Sequence, residues 1–336
     1  MIKKIKILSE ELQVFFSNES HEIYPNIWLR DHAKDEKNWD KRSNQRITFT
    51  AALDFNIKIK KAEIFENGKY LKIFWPDLQK PVSYSYEFLL NNSLKNKLKS
   101  NGLKLWKEKE LNHQNFINFK KVQSKQGFKE FLKLLHQFGF VVMTNCKTDI
   151  SSVESIANKI GYVRNSIFGG LWSFESNDSM ADSAYTQEEL RPHTDGTYCH
   201  DAPGLQLLLC CDYDATGGES IMVDGFKIAE ILKNTDKEIY NILTEIEIPG
   251  NYIGDGVHLE ARRPVFKLTL DGKISQVSFN NYDRSDFRIP NNQIKAFYDS
   301  IRTFDKLANE KTMQWRKILE PGQMLIFNNW NKIISI

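Results

Sequence analysis

The feature that most constrains this chain is a series of short, strand-like runs with few helices between them. Gly204 to Cys211, Glu219 to Val223, Val265 to Leu270, Ser275 to Phe279 and Met324 to Phe327 read as strands. Helical periodicity interrupts them at Phe226 to Leu232, Lys237 to Leu243 and Gln293 to Asn309. There is no alternating βαβ rhythm. The pattern therefore argues for a mainly β architecture with flanking helices, a β-sandwich or jelly roll. Just upstream, Phe128, Phe131, Leu132, Leu134 and Leu135 recur at helical spacing, and Gly139 ends that amphipathic helix. Phe140 to Met143 then reads as a strand and Ser152 to Ile160 as a short helix.

Composition shifts near residues 90–115, so the chain reads as two domains. Residues 1–95 form a small β-rich domain, and residues 96–336 carry the larger domain. Strand-like runs in the first are Arg46 to Thr50, Ile57 to Ile59, Ala62 to Phe65 and Tyr70 to Trp75. Between the last two, Glu66-Asn67-Gly68-Lys69 is a hairpin signal, because Asn-Gly tolerates positive φ. Leu89 to Leu103 is polar and reads as a helix plus linker.

With 41% hydrophobic and 26% charged residues, the 336-residue chain has ample material for a core. A formal charge of +3 is too small to imply nucleic acid or a membrane surface. The N-terminus lacks the apolar run and cleavage site of a signal peptide, and no stretch approaches a membrane span. Cys146, Cys199, Cys210 and Cys211 show neither disulfide nor zinc spacing, so a reducing cytoplasm is expected.

His193-Thr194-Asp195 carries the chemistry. In an extended segment, residues i and i+2 project to one face, so an imidazole and a carboxylate reach one metal ion together. Two His and one carboxylate on one face of an octahedron leave three open positions, the arrangement of non-haem Fe(II) oxygenases. A bare His-x-Asp is more often an exposed pair at a strand end. Its surroundings change that reading.

Residues 184–226, which contain AYTQEELRPHTDGTY, TGG and VDGF, resemble the trimethyllysine and γ-butyrobetaine dioxygenases of carnitine synthesis. These fall in the wider taurine-dioxygenase-like group. FGGLW upstream and FNNYDR downstream extend the resemblance, WLRDH and FWPD match the family's small N-terminal domain, and PGQMLIFNNW matches its last core strand. The resemblance implies a double-stranded β-helix (jelly roll) with Fe(II) at one mouth and 2-oxoglutarate as cosubstrate. Ascorbate is a further cofactor candidate. The implied partner is a small molecule, with a homodimer as the candidate assembly. By position, His193 and Asp195 become metal ligands. Phe168, Trp172 and Tyr185 fall on the family's aromatic cage for a trimethylammonium group, which π-faces must hold because it cannot donate hydrogen bonds. Asp182 and the pair Asn280-Asn281 align where the substrate's other end is held. An Asp at 182 attracts an ammonium, which trimethyllysine has at its α-carbon and γ-butyrobetaine lacks. NNYDR points the same way, so trimethyllysine is the expected substrate.

The chain departs from the family at two places. The family's N-terminal zinc cluster has no counterpart, since HAKDEKNW has no Cys and Gln79 stands near the position of a His; no structural zinc is expected. Ile334 occupies the position of the distal His, so the third iron ligand is missing. The Arg that grips 2-oxoglutarate, a late cage Tyr and the final strands are missing with it. Neither His200 nor His258 matches a family ligand. The change after Trp330 resembles a truncated or frameshifted gene end, which leaves an inactive, non-catalytic remnant as the competing reading.

Overall fold

In the computed structural model, the described residues are 1–94, 102–111, 114–173, 190–214, 216–254 and 256–335. The chain divides into two compact units, Met1–Asn101 and Gly102–Ile336.

In the first unit, β1 (Ile2–Ile7), β2 (Glu11–Phe16) and β3 (His21–Pro25) form an antiparallel meander, followed by α1 (Asn26–Asp31). A two-residue ribbon, β4 (Trp39–Asp40) and β5 (Gln45–Arg46), leads to a second meander of β6 (Lys61–Phe65), β7 (Tyr70–Phe74) and β8 (Val82–Ser85), capped by α2 (Tyr86–Asn91). Alternate residues Leu12, Val14 and Phe16 of β2, with Leu71 and Ile73 of β7, are buried in one cluster. Each contributes roughly 1.5–3 kcal/mol on burial. The β6–β7 turn has Asn67 at φ 52° and Gly68 at φ 86°. A Cβ on Gly68 would stand 2.2 Å from the carbonyl oxygen of Ile2, so only glycine fits there.

Two runs are corrected. Of Arg46 to Thr50, only Arg46 lies in a strand, because the chain leaves the two-residue ladder there and turns into a 3₁₀ helix at Thr50. Ile57 to Ile59 is not a strand either; both isoleucines are buried in the core from irregular backbone. Nor does the sequence reading foresee the β1–β3 sheet. His32 stacks on Trp28 with ring centroids 4.3 Å apart, and its Nδ1 lies 2.8 Å from the Trp28 carbonyl oxygen.

The second unit is layered. β9 (Phe116–Asn118) precedes α3 (Phe119–Val122), α4 (Lys125–Phe138), β10 (Phe140–Thr144) and α5 (Ile150–Ile160). β11 (Leu205–Leu209) and β12 (Ser220–Asp224) follow, then α6 (Gly225–Thr235) and α7 (Lys237–Glu245). The hairpins β13 (Ile248–Gly254) with β14 (Val257–Arg263), and β15 (Phe266–Leu268) with β16 (Ile274–Val277), lead to α8 (Asn291–Ala308). β17 (Gln314–Lys317), β18 (Met324–Asn328) and β19 (Lys332–Ser335) complete it.

One sheet has the order β11-β18-β10-β9 and a second the order β17-β12-β19. Period-2 alternation decides how they pack. Phe140, Val142, Leu325 and Phe327 of the first sheet share a cluster with Met222, Trp315 and Ile334 of the second. The alternate residues Val141, Met143, Met324 and Ile326 pack instead against Phe131 and Leu135 of α4 and Ile156 of α5. Ile221, Val223 and Ile333, on the far face of the second sheet, meet α6, α7 and α8. The result is helix, sheet, sheet, helix. The β13–β14 hairpin is a further correction. It puts His258 on a strand that is not among the strand-like runs of the sequence. No helix among the described residues is long and apolar enough to cross a membrane.

Candidate active site

His193 and Asp195 are tied to the segment Asn329 to Ile334, which leads from β18 of one sheet into β19 of the other. His193 exchanges two backbone hydrogen bonds of 2.8 Å with Ile334 of β19, an isolated antiparallel bridge. The Thr194 amide donates to the carbonyl of Phe279 at 2.7 Å, and the Phe279 amide donates to Thr194 Oγ1 at 2.9 Å. Asn329, 1% exposed, clamps the next residue from both sides. Its Oδ1 accepts from the Asp195 amide at 2.9 Å, while its Nδ2 donates to the Asp195 carbonyl at 2.9 Å and to that of Pro203 at 3.0 Å. Gly196 then turns at φ +68°, where a Cβ would stand 2.6 Å from Pro203 Cδ.

The ring of His193 is held as well. Its Nδ1 lies 2.9 Å from the carbonyl oxygen of Arg191, which can only accept, so Nδ1 carries a proton. Its Nε2 faces Asp195 Oδ1 at 3.2 Å. Neutral Nε2 and a carboxylate oxygen are both acceptors, so that contact needs a proton or a cation between them. Without a metal, the proton serves. Burial works against the charge on His193, but the hydrogen bond and charge of Asp195 outweigh it and hold the imidazole's pKa above its ordinary value. Burial likewise opposes the charge on Asp195, yet its partner His193 holds the carboxyl below the usual range.

The pair fits a metal ion at two adjacent positions. Donors ~2.1 Å from a common ion and at right angles stand about 3.0 Å apart, close to the observed separation. The His193 Nδ1–H to carbonyl bond is the kind of outer support that ligating histidines use. Gln206 of β11 also faces Asp195, and its side-chain amide helps hold the carboxyl down. Among the described residues, no group of three His, Cys, Asp or Glu side chains could hold a metal. Ile334, 2% exposed, packs with Phe140 and Met222 and offers no donor; His200 and His258 are exposed.

A cleft of about 570 Å³ opens beside His193, lined by Phe279, Asn281, Tyr282, Arg284 and Arg302 among others. That volume is in the range of small-molecule sites. Tyr282 sets its ring edge-on to His193, centroids 5.9 Å apart, and its hydroxyl accepts from the Arg191 amide at 2.9 Å. Phe279, Asn281 and Arg284 continue into a narrower recess walled by Thr197 and Arg263. Asn280 also lines the recess, but its amide is engaged: Nδ2 donates to Asp283 at 2.8 Å and Oδ1 accepts from the Tyr282 amide at 2.8 Å. Asn281 is exposed.

The structure brings Phe168 and Trp172 together, stacked at 5.6 Å. It adds two rings that sequence reasoning missed. Tyr252 stands 6.5 Å from Phe168, and Tyr198 stands 5.3 Å from Tyr252. Tyr198 follows Asp195 by three residues, so the row starts within about 11 Å of the His–Asp pair along the chain. Tyr198 was visible in HTDGTY; Tyr252 belongs to the unforeseen β13–β14 hairpin. Asp182 and Tyr185 lie outside the described residues.

The chain is similar over most of its length to known proteins. The profile of the family described as taurine catabolism dioxygenase TauD, TfdA matches residues 104–331, and that of the gamma-butyrobetaine hydroxylase-like N-terminal family matches residues 4–90. A trimethyllysine dioxygenase of Meyerozyma guilliermondii is 29% identical, over 91% of this chain and 82% of its own. A human gamma-butyrobetaine dioxygenase is 26% identical, over 95% of this chain and 84% of its own. A Burkholderia xenovorans protein whose crystal structure bears the name alpha-ketoglutarate-dependent taurine dioxygenase superimposes with TM-score 0.50 at 10% identity. It covers 65% of this chain and 78% of its own, and at that identity it speaks for the fold alone. With two-thirds of its length matched by one profile, the chain belongs to the TauD, TfdA family of dioxygenases.

Proposed function

We propose that the chain is an Fe(II)- and 2-oxoglutarate-dependent dioxygenase of jelly-roll plan. Its substrate is a trimethylammonium compound, N6-trimethyllysine of carnitine biosynthesis, with γ-butyrobetaine as the alternative. The observation that carries this reading is the pair of acceptors, His193 Nε2 and Asp195 Oδ1, set 3.2 Å apart beside a small-molecule cleft. His193 and Asp195 would hold the metal. When bound, Fe(II) with 2-oxoglutarate supplies the oxidising chemistry, O2 reduction coupled to decarboxylation and C–H hydroxylation. The chain's own residues bind and orient. Phe168 and Trp172, extended by Tyr252 and Tyr198, offer π-faces to a cation that cannot hydrogen-bond. Asn281 lines the cleft beside His193 and supplies polar contact there. Asp182 and Tyr185 keep their proposed roles toward the ammonium ends. Relatives named trimethyllysine dioxygenase, from yeast to human at 27–29% identity, support the substrate.

A second reading is a betaine-binding protein without turnover. It is favoured by the apolar Ile334 bonded backbone to backbone with His193, and by the lack of a third donor among the described residues. Succinate release separates the readings. The dioxygenase reading predicts succinate in amounts that rise with trimethyllysine, and less with γ-butyrobetaine. Betaine binding with no succinate from either would leave the second reading standing.

A further inference from the structure

Arg263, at the end of β14, is buried to 8% exposure, yet no carboxylate among the described residues lies within ion-pair distance of it. Its Nη2 donates to the Cys199 carbonyl, a neutral partner for one of five guanidinium N–H donors. The nearby carboxylates are committed elsewhere. Asp201 pairs with Arg164 at 2.8 Å, and Asp283 accepts from Asn280 at 2.8 Å and from Thr197 at 3.2 Å. A desolvated guanidinium with no carboxylate in ion-pair contact among the described residues is costly, and its planar fork is suited to an incoming carboxylate. Its surroundings suit that anion. Arg263 lines the recess with Asn281, Arg284 and Thr197, and Asn281 and Arg284 continue into the cleft that opens on His193. A second cation and a side-chain amide thus border the same recess as the buried fork.

We propose that Arg263 is a carboxylate-binding residue, and that with Asn281 and Arg284 it forms the anionic-ligand end of the cleft beside His193. The inference rests on the dioxygenase reading. It adds a carboxylate-binding end to the site: the aromatic row takes a quaternary ammonium, and Arg263, bonded to the carbonyl next to Tyr198, takes a carboxylate. That carboxylate is carried either by the betaine substrate or by the 2-oxo diacid cosubstrate. A planar guanidinium binds a carboxylate through two parallel hydrogen bonds, which Lys cannot reproduce.

The test is isothermal titration of the full chain in Mn(II), with three probes: N6-trimethyllysine, 2-oxoglutarate and choline, which has the trimethylammonium head but no carboxylate. Wild type is expected to bind all three. In Arg263→Gln, Kd for one carboxylate probe is expected to rise roughly 10- to 100-fold, with choline unchanged. Whichever probe is weakened identifies the source of the carboxylate. In Arg263→Lys the same probe is expected to weaken about 5- to 20-fold, and this variant keeps the test decisive if the Gln variant does not fold. Unchanged Kd values in a folded variant would overturn the role of Arg263 while leaving the dioxygenase reading intact. Equal weakening of all three probes would show that Arg263 is a strut for the Cys199 carbonyl, and would also overturn it. Wild type that binds neither carboxylate would remove both the inference and the reading beneath it.

Discussion

The imidazole of His193 and the carboxylate of Asp195 meet because the backbone is pinned at each residue, by Ile334 at His193, by Phe279 at Thr194 and by Asn329 at Asp195. Asn329 is the most telling of these, with three hydrogen bonds at 1% exposure. Asn329→Ala should cost about 2–3 kcal/mol in stability, read from chemical denaturation. It should also weaken metal binding about 10- to 100-fold, because Asp195 loses its support. Intact metal affinity would count against that support. The pair's protonation gives a pH signature. The raised pKa of His193 contributes stability that is present below its unfolded value of about 6.5 and is lost as pH rises through the folded value. The lowered pKa of Asp195 contributes stability that is present above about 3.9 and is lost as pH falls through the folded value. The Tm difference between metal-free wild type and Asp195→Asn should therefore be largest near pH 5–6 and shrink toward pH 9. A flat difference would mean the two groups are uncoupled. Along the aromatic row, Tyr252→Ala should weaken trimethyllysine about 3- to 30-fold and leave 2-oxoglutarate unaffected, while Tyr252→Phe keeps the ring face and stays near wild type.

Among the elements, β19 and the start of α6 share a buried ion pair. Lys332 Nζ stands 2.9 Å from Asp224 Oδ1, with both side chains at 0% exposure. Asp224 also caps α6 by accepting from the amides of Phe226 and Lys227, and it accepts from the Trp106 amide at 3.1 Å. Burial pushes the lysine's pKa down even with Asp224 beside it. The partners are unequal. Asp224→Ala removes the cap and strands a buried ammonium, so a loss of about 3–5 kcal/mol is expected. Lys332→Met leaves Asp224 three amide donors and should cost clearly less, as urea denaturation would show. Equal costs would mean that the ion pair, and not the cap, is what Asp224 supplies.

How far the elements could be read from sequence follows the same physics. The Met324 to Phe327 strand was legible because it is apolar at every position, being buried on both faces. The amphipathic helix α4 was legible too, since Phe131 and Leu135 fall on one turn and Gly139 takes the left-handed cap at φ 77°. β1 was not. In IKKIKI the lysines conceal a strand that exists only through its ladder with β2. The β13–β14 hairpin was hidden likewise, because its residues are half-exposed and only pairing defines it. At the site, His193-Thr194-Asp195 was legible as a local motif. Arg263 and Tyr252 were not, because no local pattern marks a residue whose role depends on packing 60 positions away in sequence.

At the scale of the whole molecule, two units each carry their own core, and each is matched by a separate family profile. The site residues with described geometry, from Phe168 to Asn329, all belong to the second unit. The proposed role of His193 and Asp195 in holding Fe(II) for 2-oxoglutarate is open to anaerobic titration of the full chain with Fe(II) and 2-oxoglutarate, followed by visible absorption. Wild type is expected to show a charge-transfer band that Asp195→Ala loses, and to release succinate once air and trimethyllysine are admitted. A wild type that shows no band and releases no succinate would contradict that role.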